Sequence, residues 1–285
     1  KTKKIKGLIL SADMDSGFDR LSHSCIEKAL GIFNFGPWYK RAIKMLLTDN
    51  FSNINMCGFL SKKINVSRSA RQGDPIAPYL FILCLEFLAI KVRHERRIKG
   101  FRCKNKELKN AIYADDVTFL FTGSFREIET SIRTVLGILQ DFENVSGLKI
   151  SELKSKAMWI GSAIGCDPIC RDLGFEWGNK LKLLGITFDN ELNELNENFE
   201  IKIDDIKRTL VRWKRRALTL LGKVTVWKTL ALSKLTYMAL MIPFLSQGNA
   251  TRIKDIMLDF IWDGGSSRIA LKTMELPVTE GGFKL

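Results

Sequence analysis

Residues 111–121 read Ala-Ile-Tyr-Ala-Asp-Asp-Val-Thr-Phe-Leu-Phe, so two adjacent carboxylates separate two apolar runs. The β-branched and aromatic residues of these runs predict two strands joined by a tight turn. Such a hairpin would present Asp115 and Asp116 at its tip. An ordinary aspartate-rich turn is the alternative, because Asp is common in turns. A metal-binding acid pair would also need a third acid, a nucleotide pocket and a basic track elsewhere in the chain.

The composition indicates a globular protein with a polyanionic partner. The 285 residues suffice for two or three subdomains, and the hydrophobic fraction of 46% supports a packed core. A net charge of +14 is typical of proteins that bind nucleic acid, and a merely basic surface is the alternative. We expect no membrane anchor and no secretory signal, because the longest apolar run, 78–92, is short and contains Glu86.

The cysteines point away from a zinc site. The chain has six of them, scattered, with only two histidines. Cys166 and Cys170 form the closest pair, and no histidine lies near them. Unpaired thiols with mostly apolar neighbours favour a reducing compartment.

The remaining pattern alternates strands and helices. An apolar run at 7–12 predicts a buried strand that ends in Asp13, and Ser22 suits the N-cap of the next helix. Pro75 and Pro78 would set the first turn of a long apolar helix. Other helices are expected over 38–47, 77–97, 126–145 and 250–262. Other strands are expected as a hairpin over 52–66, with its turn at 58–62, and as runs at 157–161 and 183–188.

Several short motifs follow one another along the chain. They are Asp13 with Phe18-Asp19, Arg71-Gln72-Gly73-Asp74-Pro75, Tyr113-Ala114-Asp115-Asp116, Ser146-Gly147-Leu148-Lys149 with Lys154, and Leu184-Gly185. A basic run, 213–223, comes next, followed by Phe260-Ile261-Trp262 and Gly281-Gly282. In this order they resemble the palm motifs, primer grip and thumb of reverse transcriptases, most closely those of non-LTR (LINE-type) retrotransposons. The resemblance covers nearly the whole chain.

The resemblance implies an α+β fold. A right-hand polymerase palm, an antiparallel sheet backed by helices, would be followed by a mostly helical thumb. Residues 1–162 would form the palm, 163–192 a junction with a primer-grip-like hairpin, and 193–285 the basic thumb and the segment after it. The fingers would precede residue 1, and we expect fusion to fingers and endonuclease segments in a longer polyprotein.

The resemblance also implies a catalytic centre. DNA synthesis is a phosphoryl transfer in which a primer 3′-oxygen attacks a dNTP, and Mg²⁺ prefers carboxylate oxygens as ligands. Asp13, Asp115 and Asp116 would hold two Mg²⁺ ions, with Mn²⁺ as an alternative, if their strands are neighbours in one sheet. Lys154 would protonate the leaving pyrophosphate. A solvated surface lysine is the alternative for Lys154.

A set of dNTP-binding residues follows from the same resemblance: Phe18, Arg71, Gln72, Gly73 and Tyr113. Phe18 would exclude a 2′-hydroxyl, with plain core packing as the alternative. Gln72 would touch the nucleotide, and Gly73 would let the backbone come close to it. Arg71 would contact phosphate or template. Tyr113 would line the primer terminus, and a core position is its alternative.

The basic stretch 202–228 carries nine Lys and Arg against two Asp. Such residues on helices neutralise backbone phosphates without reading sequence. The expected nucleic-acid contacts are Lys207, Arg208, Arg212, Lys214, Arg215, Arg216 and Lys223. A solvated basic face is the alternative. We expect Trp213 and Trp227 in the core of this region.

The sequence thus predicts a nucleotidyltransferase, an RNA-directed DNA polymerase of non-LTR retrotransposition. Its partners would be an RNA template, a DNA primer and dNTPs, within a ribonucleoprotein of the nucleus and cytoplasm. The alternatives are a catalytically silent RNA-binding protein, a degenerate element copy and a maturase of the group II intron type. Gly17 and Ser151 depart from the family pattern, which usually has Ala and often Asn at these places.

Overall fold

The computed structural model describes residues 5–285 apart from 16, 49, 70–72, 193–194 and 243–245, and gives no side-chain placement for 152 and 153. The chain divides into two compact units, Lys1–Leu184 and Gly185–Leu285. The boundary falls inside the region that the sequence suggested as a junction.

The strands of the described residues are β1 (Lys6–Asp15), β2 (Phe51–Ser52), β3 (Asn55–Met56), β4 (Phe59–Leu60), β5 (Ile64–Asn65), β6 (Phe101–Cys103), β7 (Lys106–Leu108), β8 (Asn110–Tyr113), β9 (Asp116–Thr122), β10 (Lys149–Gly161), β11 (Glu176–Trp177), β12 (Lys180–Leu183) and β13 (Ile186–Asp189). The helices are α1 (Gly17–Arg20), α2 (His23–Ile32), α3 (Pro37–Leu47), α4 (Ala77–His94), α5 (Phe125–Ser146), α6 (Glu197–Lys214), α7 (Leu220–Val226), α8 (Ser233–Met241), α9 (Gln247–Trp262) and α10 (Leu271–Glu275).

A five-stranded sheet organises the first unit, in the order β11-β10-β1-β9-β8. β1 is central and pairs antiparallel with β10 and with β9, while β11 joins the edge in parallel. Buried side chains alternate along β9, at Val117, Phe119 and Phe121, as the period of a strand requires. The sequence had suggested that Asp13 ends this strand. β1 continues to Asp15, so Asp13 lies within the strand.

Helices α2, α4 and α5 carry the apolar side chains of the same core. The helix expected over 126–145 is present as α5, and its buried residues include Ile128, Ile132, Val135, Ile138 and Leu139. The ends of α5 are specified locally. Ser124 and Glu127 form a reciprocal capping box, and Gly147 ends the helix in the left-handed conformation at φ 78°. Ser22 caps α2 as predicted, accepting a hydrogen bond from the Cys25 backbone.

Some predicted boundaries were wrong. The strand expected at 157–161 begins at Lys149, because its first half pairs with β1 around a bulge. The hairpin expected over 52–66 consists of two nested strand pairs, and its turn lies at Cys57 and Gly58, which both have positive φ. The strand expected at 183–188 is interrupted by Leu184 and Gly185, which also have positive φ and form a turn between β12 and β13.

The second unit contains β13 and helices α6 to α10. A separate core lies here, with Phe199, Ile203 and Phe260 among its buried residues. Asn198 fixes the start of α6, because its side chain hydrogen-bonds both backbone groups of Thr187 at 2.8 Å. Residues Trp227–Leu232 form a π-helical segment between α7 and α8. In the described part of the chain, no helix is long and apolar enough to cross a membrane.

Candidate active site

Two acids sit on the turn that joins β8 and β9. Tyr113 pairs with Asp116 across the hairpin, and Ala114 and Asp115 make the turn between them. Ala114 adopts φ 51°, a left-handed conformation that costs a non-glycine residue roughly 1–2 kcal/mol. Asp115 and Asp116 are both exposed.

The third acid comes from the central strand. Ala12 pairs with Val117, which brings Asp13 to the same end of the sheet as Asp116, one position further along each strand. Asp13 is exposed and pairs on its other side with Ser151 of β10. The acids therefore lie on neighbouring strands of one sheet, as a shared metal site would require.

The charges of Asp115 and Asp13 act on the carboxyl group of Asp116. The pKa of Asp116 is raised, first by partial burial and then by the negative charges of Asp115 and Asp13. Within the described part of the chain, no Lys or Arg forms an ion pair with any of the three. The negative charges of these carboxylates repel one another, and a bound cation would relieve that repulsion.

The donor chemistry suits a hard divalent cation. All three side chains offer carboxylate oxygens, the ligands that Mg²⁺ prefers. Among the described residues, however, no group of three or more His, Cys, Asp or Glu is already arranged to hold a metal ion. Asp13, Asp115 and Asp116 fit such an ion by chemistry and by location on adjacent strands.

Phe18 packs at the edge of the palm core. Its ring stacks on Phe81 of α4, with centroids 4.4 Å apart and an interplanar angle of 18°. Phe81 is fully buried, whereas Phe18 is half-buried. A Cβ atom on the preceding Gly17 would lie 3.1 Å from Phe81 Cζ. The glycine in place of the usual alanine thus accompanies a large ring at position 81, a relationship that the sequence alone did not reveal.

The structure describes the second half of the loop before α4, from Gly73 onward. Arg71 and Gln72 are outside the described residues, and Gly73 is exposed with φ 90°, which favours glycine. Asp74 fixes the turn before α4, because its side chain accepts a hydrogen bond from the Ile76 backbone at 3.0 Å.

Tyr113 and Lys154 are both accessible. The exposed fraction of Tyr113 is 69%, which is incompatible with the alternative of a core tyrosine. Lys154 is exposed on the bulge of β10 that lies opposite Asp13. Tyr113 therefore lies beside Asp116, and Lys154 lies on the strand that pairs with Asp13. The buried Ser155 beside Lys154 was not expected, because its neighbours in sequence are surface lysines.

The second unit presents a basic helix, α6, and the turn after it. Lys207, Arg208, Arg212, Arg215 and Arg216 are exposed. Some of them are engaged already: Arg208 pairs with Asp205 at 3.7 Å, and Arg216 lies over the Trp213 ring. Lys214 forms a 2.6 Å ion pair with Asp259. Trp227 is buried, as expected for a core residue, and Trp213 packs partly buried against the same core.

The position of Lys223 contradicts its predicted role as a nucleic-acid contact. Its exposed fraction is 7%, and its ammonium donates to the Ile261 carbonyl and to the Asp263 carboxylate. These acceptors lie at the C-terminal end of α9, where a cation satisfies the last carbonyls. A phosphate contact would require this buried group to leave its partners, so we correct the assignment of Lys223 to a structural one.

An antiparallel sheet, backed by helices and carrying three carboxylates at one end, defines the palm of a polymerase. A family model described as reverse transcriptase (RNA-dependent DNA polymerase) matches residues 1–188. The chain belongs to the reverse transcriptase family. This confirms the fold class and the family that the sequence motifs suggested.

Two curated relatives are similar to the chain. The "Transposon TX1 uncharacterized 149 kDa protein" of Xenopus laevis is 26% identical over 281 residues, covering 96% of this chain and 21% of its own length. A "Retrovirus-related Pol polyprotein from type-1 retrotransposable element R2" of Popillia japonica is 29% identical over 125 residues, 42% of this chain and 20% of the relative. The chain spans about a fifth of the length of these relatives.

A solved structure shows the same fold. Apo telomerase from Candida tropicalis aligns with a TM-score of 0.50 at 12% identity, over 90% of this chain and 42% of that one. At this identity the likeness concerns the fold alone.

Proposed function

We propose that the chain is the polymerase part of a non-LTR retrotransposon protein and catalyses RNA-directed DNA synthesis. The observation that carries the proposal is the convergence of Asp13 with Asp115 and Asp116 at one end of the sheet, inside the region that matches the family. Its substrates would be an RNA template, a DNA primer and dNTPs. The length and names of the relatives support fusion within a longer polyprotein. We also propose that this polyprotein works as a ribonucleoprotein in nucleus and cytoplasm.

The carboxylates would hold two Mg²⁺ ions, or Mn²⁺ in their place. When bound, the ions would stabilise the negative charge on the attacking and leaving oxygens. Asp13 would contribute from β1 and the Asp pair from the β8–β9 turn, so each acid arrives on a strand fixed by the sheet.

The other residues would bind and orient the substrate. Phe18, held against Phe81, would face the sugar and exclude a 2′-hydroxyl. Tyr113, exposed beside Asp116, would line the primer terminus. Lys154 would donate a proton to the pyrophosphate oxygen as the phosphoanhydride bond breaks.

Primer extension on an RNA template tests the proposal. We expect incorporation that requires Mg²⁺ and falls by at least roughly a hundredfold in Asp115→Asn, because the turn loses one ligand charge. Asp167→Asn is the matched control, since this side chain is 92% exposed and pairs only with Arg171 of its own loop. Equal incorporation by Asp115→Asn and the native chain would contradict the proposal. Magnesium-independent RNA binding without incorporation would instead support the silent RNA-binding alternative.

A further inference from the structure

The strand opposite Asp13 is irregular. Ser11 pairs with Lys156, but Asp13, only two residues later, pairs with Ser151. Residues 152–155 of β10 therefore form a bulge between these two pairs. A bulge of this kind interrupts the ladder and re-aims the side chains that it carries. Lys154 is one of them and is exposed.

Ser155 closes the bulge from inside. It is fully buried, and its hydroxyl donates to the Ser151 carbonyl at 2.7 Å. The same oxygen accepts the backbone N–H of Asp13 at 3.4 Å. One hydroxyl thus joins both ends of the bulge to the residue that carries the first acid. Without it, the Ser151 carbonyl and the Asp13 N–H would each lose a hydrogen-bond partner.

This contact links two groups that the proposed reaction uses on opposite sides of the nucleotide. Asp13 would act at the ion-binding end, and Lys154 would act at the pyrophosphate. Ser155 follows Lys154 directly and is anchored inward while Lys154 points outward. Fixing Ser155 to Asp13 therefore restricts where the Lys154 ammonium can lie relative to the acids.

We infer that Ser155 is a positioning residue that sets Lys154 relative to Asp13. The inference rests on the proposed function for Lys154, but the closure of the bulge stands on the geometry alone. Ser155 itself touches no substrate in this scheme. Its effect on the reaction should pass entirely through Lys154.

Ser131 provides a matched control. It is also fully buried, and its hydroxyl donates to the carbonyl four residues earlier, at Glu127, at 2.8 Å. It accepts a backbone N–H from Lys99 at 3.2 Å. Ser131 lies on α5, in the first turns after the cap, and its hydroxyl also reaches the Arg97 carbonyl at 3.2 Å, so its partners are not the acids of the site. Ser131→Ala thus removes the same kind of hydroxyl from a different place.

Amide hydrogen exchange on the 285-residue chain tests the closure. We expect exchange in a peptide covering 149–158 to accelerate about tenfold or more in Ser155→Ala, because the bulge loses its internal bond. Ser131→Ala should leave this peptide unchanged. Ser155→Cys, which keeps the volume and a weak donor, replaces the alanine variant if that variant does not fold. Unchanged exchange in the Ser155 variant would overturn the inference.

Single-turnover incorporation tests the link to Lys154. We expect Ser155→Ala to lower the maximal rate about tenfold while the dNTP concentration for half-maximal rate changes less than about twofold. In a Lys154→Ala background the same change should have no further effect, whereas a general loss of folding would multiply with it. Multiplied losses would overturn the inference. A native chain without Mg²⁺-dependent incorporation would instead contradict the proposed function, and the exchange experiment would still decide on the closure.

Discussion

Phe18 and Phe81 stack nearly parallel, with ring centroids 4.4 Å apart, and only Phe81 is completely buried. The core therefore supports one face of the residue proposed to sense the sugar. An exposed ring on a short helix such as α1 would otherwise have several rotamers available. Sugar selectivity should then depend on a residue that never contacts the nucleotide.

Phe81→Leu is expected to lower the preference for dNTP over rNTP by about tenfold. This corresponds to ~1.4 kcal/mol, which is near the upper value for an aromatic pair. The measurement is the ratio of kcat/KM for the two nucleotides. Because both values come from one preparation, partial loss of folded protein cancels from the ratio.

Leu88→Ala is the control for that ratio, since Leu88 is buried on the same helix and also loses core volume. Its preference for dNTP should stay within about twofold of the native value, because the ring pair is intact. An unchanged ratio in Phe81→Leu would contradict the support of Phe18 by Phe81.

Gly17→Ala is expected to destabilise the chain by ~1 kcal/mol, because the new Cβ would lie 3.1 and 3.3 Å from ring atoms of Phe81. The loss should shrink when Leu replaces Phe81, since the ring that crowds the methyl group is gone. Urea unfolding of both single variants and the double variant measures this coupling. Additive losses would show that Gly17 and Phe81 do not constrain each other.

Asp116→Asn is expected to raise Tm at pH 7 while it abolishes incorporation. The pKa of Asp116 is raised in the folded chain, so ionisation at neutral pH costs stability. The sign follows from protonation: the native chain regains this stability as the pH falls through the raised pKa. Below the ordinary value of 3.8, both states are protonated, and the difference between variant and native chain should vanish.

Thermal unfolding of both proteins between pH 3 and pH 8, an ordinary range for such scans, checks this sign. Added Mg²⁺ should raise the Tm of the native chain more than that of Asp116→Asn, because a bound cation relieves the repulsion among the carboxylates. A lower Tm for the variant at neutral pH would contradict the raised pKa of Asp116.

Local sequence rules predicted much of the fold correctly. The helix expected over 126–145 and the Ser22 cap each depend on residues within a few positions, and each was found within one residue of the expected place. The convergence of the acids could also be inferred, since motif order implied neighbouring strands. These features are encoded locally or by a family resemblance.

What escaped prediction depends on strand register and on packing between distant segments. Ser155 stands between two lysines, and its burial follows only from its place on the bulge that faces β1. Lys223 belongs to a basic run, and its burial depends on a carboxylate 40 positions away. Neither periodicity nor charge count contains that information, because both describe a segment without its tertiary partner.

Substitutions of Arg212 and Lys223 should therefore have opposite effects: the first should weaken nucleic-acid binding, and the second should lower stability. Arg212 is exposed on α6, so Arg212→Ala is expected to weaken binding to an RNA–DNA duplex and to reduce the slope of log K against log salt by about one. Its Tm should hardly change.

Lys223→Met is expected to leave the slope unchanged and to lower Tm by roughly 5 °C, or ~1 kcal/mol for a unit of this size, because the last carbonyls of α9 lose their cation. Fluorescence anisotropy at several salt concentrations and thermal unfolding separate the two effects. A reduced salt slope in Lys223→Met would show that this lysine does contact phosphate and would overturn its assignment as a structural residue.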